Sequence, residues 1–412
     1  MVKNPSEQKI LSKNSLLLLA SHYLFKFGDI LSELFINLFL FKYSGSVTIF
    51  LLFNAIVFGL WGLLEFLLGG IIKNKSRLFL YRTSLLFFLI GYLLTLILKY
   101  ETINYFWLIA IFIGLGRGFQ YGSYETLKFD FTSPKNRSQY SKYAWIILYT
   151  IAFIAPLISG YTIVNTSGGY FNIFAFTCTF FVLSFIASFF LVKNNIIKDY
   201  SGKYQPFAFF KKALKIPDLR NLYISQFTSS IAGETIGYFL GIVMLSFALD
   251  EFSLSTVKAA ASIASVIGGF YFGYVLPKHY FRNMKISAIF GVLLTFLFFI
   301  GINFWTFMAF SIIGALTSGF ADPAGDVVTM DLVNKHKLIK YRVEMRSAGA
   351  LFTGVTGRFV GYFLIFLLAK NVHDPIQVRN TFLIFSLIGL IPVYFFTRIK
   401  MNFDKLRDYK SN

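Results

Sequence analysis

The sequence of 412 residues has few of the residues that build disulfide frameworks and metal centres. Its single cysteine, Cys178, lies in an apolar stretch, which excludes a disulfide framework and a cysteine metal site. No Gly-x-x-x-x-Gly-Lys-Ser/Thr loop and no cluster of histidines and cysteines occurs. We therefore expect no cofactor, no bound metal and no ATP binding of the usual kind.

Charged residues are also scarce, at 14% of the chain, whereas 56% of it is hydrophobic and 53 residues are phenylalanine. A soluble core of this length would not use so many apolar residues. Crossing about 30 Å of hydrocarbon takes roughly 20 helical residues. The sequence thus predicts an all-α integral membrane protein with twelve spans. These are residues 15–41, 46–68, 78–98, 105–125, 143–164, 170–192, 219–248, 253–276, 284–302, 305–328, 344–369 and 379–397.

A longer polar segment divides the spans into two sets of six. We predict an N-terminal bundle at 1–192, a cytoplasmic linker at 193–218, and a C-terminal bundle with a cytoplasmic tail at 219–412. In the linker, Phe207, Phe210 and Leu214 share one face while lysines cluster opposite, which predicts a short amphipathic helix at the membrane interface. A plain solvated linker is the alternative.

The two sets look like copies of each other. A shift of 201 residues lays Gly118-Phe119 on Gly319-Phe320 and Glu33 on Glu234 without a gap. Each set holds an even number of spans, so the copies have the same orientation. This predicts a parallel repeat about an axis along the membrane normal.

Basic residues set the predicted orientation. The net charge of +20 comes from the N-terminus, the loops after even-numbered spans and the C-terminal tail. Because basic loops stay on the cytoplasmic side, we expect both termini in the cytoplasm, with a prokaryotic plasma membrane as the location. Such a basic face suits anionic lipid rather than nucleic acid. The first span is too long and too charged for a signal peptide.

The first span carries His22, Lys26, Asp29 and Glu33 at steps of four, three and four residues, which places them on one helical face. Ionised side chains at membrane depth are costly, so this face should line a polar cavity. Other spans also carry ionisable residues within the membrane, whereas the third, sixth, ninth and twelfth spans have none there. The further residues are Glu65, Arg117, Glu234, Lys258, Asp322, Asp326, Arg346 and Arg358.

A central cavity lined by the first and fourth helix of each set would produce this pattern. The arrangement resembles the major facilitator superfamily, a family of secondary transporters. In the fourth span, Arg117-Gly-Phe-Gln120 resembles the family's Arg-x-x-Gln-Gly motif, with the glycine displaced to Gly122. The family's arginine is associated with proton coupling, and the resemblance implies that role for Arg117. A structural ion pair that holds helices together is the alternative.

Two further motifs resemble the family. After the second span, Gly69 and Arg77 match its Gly-x-x-x-Asp-Arg-x-Gly-Arg-Arg pattern, with Lys73 in place of the acid. The resemblance implies a cytoplasmic gating loop in which Glu65 substitutes for that acid, or simply reaches the aqueous boundary. The fifth span ends Ala155-Pro-Leu-Ile-Ser-Gly160, which resembles the ending typical of drug/proton antiporters.

The resemblance implies a secondary transporter with alternating access, and not an enzyme. We expect a monomer that exports small, partly apolar molecules in exchange for protons. Proton-coupled uptake of a polar or anionic solute, and lipid transport, are alternatives, and a lipid-modifying transferase is a remote one. Proton coupling needs a buried carboxylate; the candidates are Glu234, Glu33, Asp322 and Asp29, beside Arg117. The substrate cavity is predicted to contain His22, Lys26, Gln120, Gln226, Asp326, Arg346 and Arg358.

The predicted topology is testable by cysteine labelling. A cysteine at Asn412 should react with a membrane-impermeant maleimide only from the cytoplasmic side, because the tail follows an even-numbered span. A cysteine at Asn104, in a loop after an odd-numbered span, is the matched control and should react only from outside. Labelling of Asn412 from outside would contradict the orientation.

Overall fold

Apolar segments that cross a membrane form helices, because a helix satisfies its own backbone hydrogen bonds there. In the computed structural model of this chain, the described residues contain helices and connecting turns and no strand. Those residues are 11–74, 77–132, 136–192, 203–247, 249–274, 280–336, 338 and 341–399.

Two compact units divide the chain, Met1–Tyr204 and Gln205–Asn412. The first unit contains six long helices, joined in one place by a short 3-10 turn, Lys99–Ile103. The six helices are α1 (Lys13–Ser44), α2 (Val47–Asn74), α3 (Arg77–Leu98), α4 (Phe106–Phe131), α5 (Arg137–Asn165) and α6 (Tyr170–Phe189).

The second unit begins with a short helix, α7, followed by six spans, three of which are interrupted. The ninth span consists of α10 and α11, and the twelfth of α15 and α16. The eleventh consists of α13, a π-helical turn at Ala350–Val355, and α14. The helices are α7 (Pro206–Ala213), α8 (Pro217–Ser246), α9 (Glu251–Tyr274), α10 (Tyr280–Thr295), α11 (Leu297–Ile300), α12 (Phe304–Lys335), α13 (Arg342–Gly349), α14 (Thr356–Leu368), α15 (Pro375–Ile388) and α16 (Leu390–Phe396).

Every predicted span coincides with one of these helices or interrupted helices, so the predicted all-α membrane fold is confirmed. Eight described helices are long and apolar enough to cross a membrane. Some helices are longer than predicted: α4 ends at Phe131 rather than near residue 125, and α12 ends at Lys335 rather than near 328. Apolar periodicity marks only the part of a helix in hydrocarbon, and the helix continues beyond it.

Equivalent helices pack together in both units. In the first unit, α1 packs on α5 and α6, α2 on α4, and α3 on α4 and α6. In the second, α8 packs on α14, α15 and α16, α9 on α12, and α10 on α12 and α15. The same contacts in the same order are what a parallel repeat of six helices predicts.

The linker helix α7 belongs to the second unit. Phe209 and Ala213 are buried in a core that also contains Leu222 and Phe396, and Phe210 stacks on Phe352 with a centroid distance of 4.5 Å. Of the face predicted to be apolar, Phe210 and Leu214 pack partly against this core. Phe207 is 52% exposed, with the Lys211 ammonium 4.6 Å from its ring centroid.

Glycines let α14 approach α8 closely. A Cβ at Gly357 would lie 2.5 Å from the Phe227 carbonyl oxygen, and one at Gly361 would lie 2.7 Å from the Ile231 carbonyl oxygen. Small residues four positions apart permit such a crossing of two membrane helices. Backbone atoms cannot move aside as side chains do, so the crossing depends on both glycines.

We expect Gly357→Ala to destabilise the protein by about 1–3 kcal/mol, because its methyl group would overlap the backbone of α8. Gly237→Ala is the control, since a Cβ there meets nothing within 4 Å. The midpoint of thermal unfolding in detergent measures both. An equal midpoint for the two variants would contradict the close crossing.

Candidate functional site

The polar face of α1 contains a closely paired lysine and aspartate. Asp29 is 2% exposed, and its Oδ2 accepts a hydrogen bond from Lys26 Nζ at 3.0 Å. The two residues are three positions apart on the helix, which brings their side chains together. Burial of a charged carboxylate requires such a partner.

Arg117 from α4 links this pair to a second carboxylate. Its Nη2 lies 2.7 Å from Glu33 Oε1 and 3.5 Å from Asp29 Oδ1. The guanidinium carbon lies 5.8 Å from the ring centroid of Phe58. Two cations thus balance two carboxylates, and we call Lys26, Asp29, Glu33 and Arg117 the charge cluster. Four residues predicted as site residues are therefore in contact.

Nearer the N-terminal end of α1, His22 stacks on Tyr124 of α4. The ring centroids are 3.4 Å apart and the planes differ by 9°. His22 and Gln120 are both buried. Sequence reasoning did not identify Tyr124, although it lies seven residues after Arg117 and hence on the same helical face.

The predicted gating loop contains an ion pair that the sequence did not reveal. Arg77 Nη1 lies 2.5 Å from both carboxylate oxygens of Asp130, at the end of α4, and Arg77 Nε donates to the Ile72 carbonyl at 2.9 Å. Asp130 is not among the residues predicted for this loop. Its pairing links the start of α3 to the end of α4.

Glu65 and Gly69, also predicted in this loop, have separate surroundings. Glu65 is 2% exposed and accepts a hydrogen bond from Trp61 Nε1 at 3.0 Å. Gly69 lies under the ring of Tyr204, whose hydroxyl donates to the Phe66 carbonyl at 2.6 Å. The side chain of Lys73 lies outside the described part of the structure.

The second unit contributes fewer described site residues. Arg358 is 5% exposed, and Gln226 lies beside Gly349, where a Cβ would come within 3.6 Å of its Oε1. Arg346 is half-buried in α13. The side chains predicted here for coupling or binding, Glu234, Asp322 and Asp326, lie outside the described residues. Within the described residues, no group of three histidine, cysteine or acidic side chains is arranged to hold a metal.

Comparison with known sequences gives a family match and distant relatives. The model of the Major Facilitator Superfamily matches residues 222–404. The uncharacterized protein YqgE of Bacillus subtilis is 22% identical over 94% of this chain and 90% of its own length. The uncharacterized MFS-type transporter YqjV of the same organism is 28% identical over 26% of this chain and 27% of its own length.

Two solved structures share the fold. One is a bacterial homologue of the iron transporter ferroportin in an inward-facing state, with a TM-score of 0.72 and 13% identity over 95% of this chain and 99% of that one. The other is a bacterial metal transporter, with a TM-score of 0.65 and 12% identity over 96% and 100% of the two chains. At such low identities the similarity establishes the fold but does not identify the transported substrate.

The charge balance of the cluster predicts a non-additive pair of substitutions. Arg117→Leu and Asp29→Leu each leave one uncompensated charge, and each should cost about 3 kcal/mol of stability. The double variant restores the balance and should be more stable than the sum of the two changes predicts. Thermal unfolding of the four proteins measures this coupling.

Lys128→Leu is the control for loss of a cation from an ion pair. Lys128 pairs with Glu125 at 2.7 Å, but both side chains are at least a quarter exposed, so this change should cost less than about 1 kcal/mol. Additive costs in the Arg117 and Asp29 pair would contradict a shared buried charge balance.

Proposed function

We propose that this chain is a transporter of the major facilitator superfamily, and that it is a proton-coupled exporter of small, partly apolar molecules. It is a multi-pass membrane protein and a secondary transporter. The lipid-modifying transferase considered as a remote alternative finds no support in this family. The coupling ion, the direction of transport and the substrate are the parts of this function that we propose.

The observation that carries the coupling proposal is the sharing of Arg117 between Glu33 and Asp29. Arginine keeps its proton at any accessible pH, so only the carboxylates can exchange one. Asp29 is 2% exposed and is also held by Lys26, whereas Glu33 is 26% exposed. Glu33 is therefore the more exposed carboxylate of the charge cluster, and we propose that it is the one that exchanges the proton.

Protonation of Glu33 would weaken its ion pair with Arg117, while the contact between Arg117 and Asp29 would remain. The cluster would then have two arrangements that differ by one proton. Such a two-state element is what a coupled transporter needs, because a proton must favour one conformation over the other. Glu234, the repeat counterpart of Glu33, stays a predicted second proton carrier.

Export is supported by the fifth span, whose ending resembles that of antiporters. This end of α5 lies against α1, where Ser159 Oγ donates to the Leu31 carbonyl at 2.8 Å. A partly apolar cargo is supported by the aromatic side chains beside the charge cluster: Phe58 lies at Arg117, and Trp61 and Tyr121 lie 4.9 Å apart.

Metal transport is a second candidate, because both similar structures are described as metal transport proteins or their homologues. The described residues offer limited support for it. The carboxylates of the charge cluster are engaged by Lys26 and Arg117, which compete with a cation. Glu234, Asp322 and Asp326, the acidic residues predicted for the second set of spans, stay candidates for a metal site.

Transport by proteoliposomes tests these proposals. The protein is reconstituted with an imposed pH gradient and offered ethidium, carboxyfluorescein or Mn²⁺. We expect gradient-driven movement of an organic probe, and we expect Glu33→Gln to abolish it because that side chain can no longer exchange a proton. Binding of the same probe should persist.

Glu125→Gln is the matched control, since Glu125 forms a partly exposed pair within α4 and should not affect coupling. Full gradient-driven transport by Glu33→Gln would contradict the coupling role. Movement of Mn²⁺ but of neither dye would favour the second candidate.

A further inference from the structure

The contacts between α1 and α4 fix an antiparallel register. Asp29 of α1 contacts Arg117 of α4. His22, seven residues before Asp29, contacts Tyr124, seven residues after Arg117. Because both helices rise equally per residue, the position midway between these contacts places Lys26 opposite Gln120.

The layer between these two contacts, formed by His22, Lys26 and Gln120, contains hydrogen-bonding groups without a partner in the described part of the chain. Among the described residues, Gln120 Nε2 and His22 Nδ1 are buried and have no hydrogen-bond partner. The two side chains are 3% and 6% exposed. Lys26 Nζ makes one described hydrogen bond, to Asp29, although an ammonium group has three N–H donors. Buried polar groups are normally satisfied, so a missing partner points to a ligand or to water.

The chemistry of these groups restricts the ligand. An amide nitrogen and an ammonium group donate hydrogen bonds and do not coordinate metals, and a neutral imidazole donates from one nitrogen. The nearby carboxylates of Asp29 and Glu33 already face Lys26 and Arg117. The layer therefore favours an acceptor with several lone pairs, and a carboxylate gains most from an ammonium donor.

The layer is reachable at Lys26, whose side chain is 24% exposed, whereas Gln120 and His22 are almost fully buried. The aromatic rings of His22 and Tyr124 are stacked beside these donors. A molecule with an aromatic or aliphatic body and an acidic end would match such a combination of donors and aromatic surface.

We propose that Lys26, Gln120 and His22 form a subsite that binds the carboxylate group of the transported molecule. This subsite, which we call the donor pocket, rests on the proposed transport function and narrows its cargo to organic acids with an apolar part. The donor pocket is separate from coupling, in which Glu33 exchanges the proton.

Thermal stabilisation of the purified full-length protein tests the donor pocket. The protein is titrated with benzoate, with benzamide as the neutral analogue of the same shape, and with MnCl₂. We expect benzoate to raise the unfolding midpoint in a concentration-dependent manner, and benzamide and Mn²⁺ to leave it unchanged. Acetate and octanoate extend the test to smaller and aliphatic acids.

Variants separate the donor pocket from general destabilisation. Gln120→Glu keeps the shape of the side chain but replaces the donor by a carboxylate, and should abolish the benzoate effect. Gln120→Met is a second variant of similar volume without a charge. His22→Phe keeps a ring against Tyr124 and should weaken benzoate binding, and Lys26→Met should weaken it by about tenfold or more.

Lys42→Met is the matched control, because Lys42 lies near the other end of α1, 5.8 Å from the ring of Tyr170, and should keep the benzoate effect. Glu33→Gln should keep it too, so loss of coupling and loss of binding are distinct results. Unchanged benzoate binding in Gln120→Glu and Gln120→Met would overturn the proposal. Absence of stabilisation by all three acids would also overturn it and would leave water as the partner of the donors.

Discussion

Neutralisation of charge at membrane depth is the constraint on which the first unit depends. Asp29 is almost fully buried in a membrane-spanning helix, and an unpaired carboxylate there would be strongly destabilising. Lys26 compensates it within α1, and Arg117 compensates it from α4. The ionic contact thereby determines which face of α4 points to α1, and that rotation places Gln120 and Tyr124 beside Lys26 and His22.

Charge and packing act on different helix pairs in this unit. The α2 and α4 pair is in close contact, and Gly118 lies against Leu64, where a Cβ would come within 2.6 Å of the Leu64 Cβ. The α1 and α4 pair is instead joined by polar side chains that leave donors unused. A close apolar contact resists ligands, whereas a polar contact with spare donors accommodates them. The proposed donor pocket lies at the polar contact between α1 and α4, and not at the apolar contact between α2 and α4.

Much of the architecture could be predicted from the sequence because the bilayer imposes it locally. Span length and helical periodicity depend on neighbouring residues alone, so the twelve spans and the polar face of α1 followed from them. The contacts between helices could not be predicted in this way, because they depend on the rotation and register of separate helices. Examples are the pairing of Arg77 with Asp130 and the stacking of His22 on Tyr124. The breaks in the ninth, eleventh and twelfth spans were also missed, since their residues keep the apolar composition of a continuous helix.

The π-helical turn at Ala350–Val355 changes the angular position of the arginines on either side of it. Arg346 and Arg358 are twelve residues apart, which in a regular α-helix would turn their side chains about 120° from each other. A π turn holds one residue more than an α turn, and this extra residue reduces the angle between the two arginines by about 100°. With this extra residue, Arg346 and Arg358 lie on nearly the same face of the eleventh span, a relation that a helical wheel of its sequence conceals.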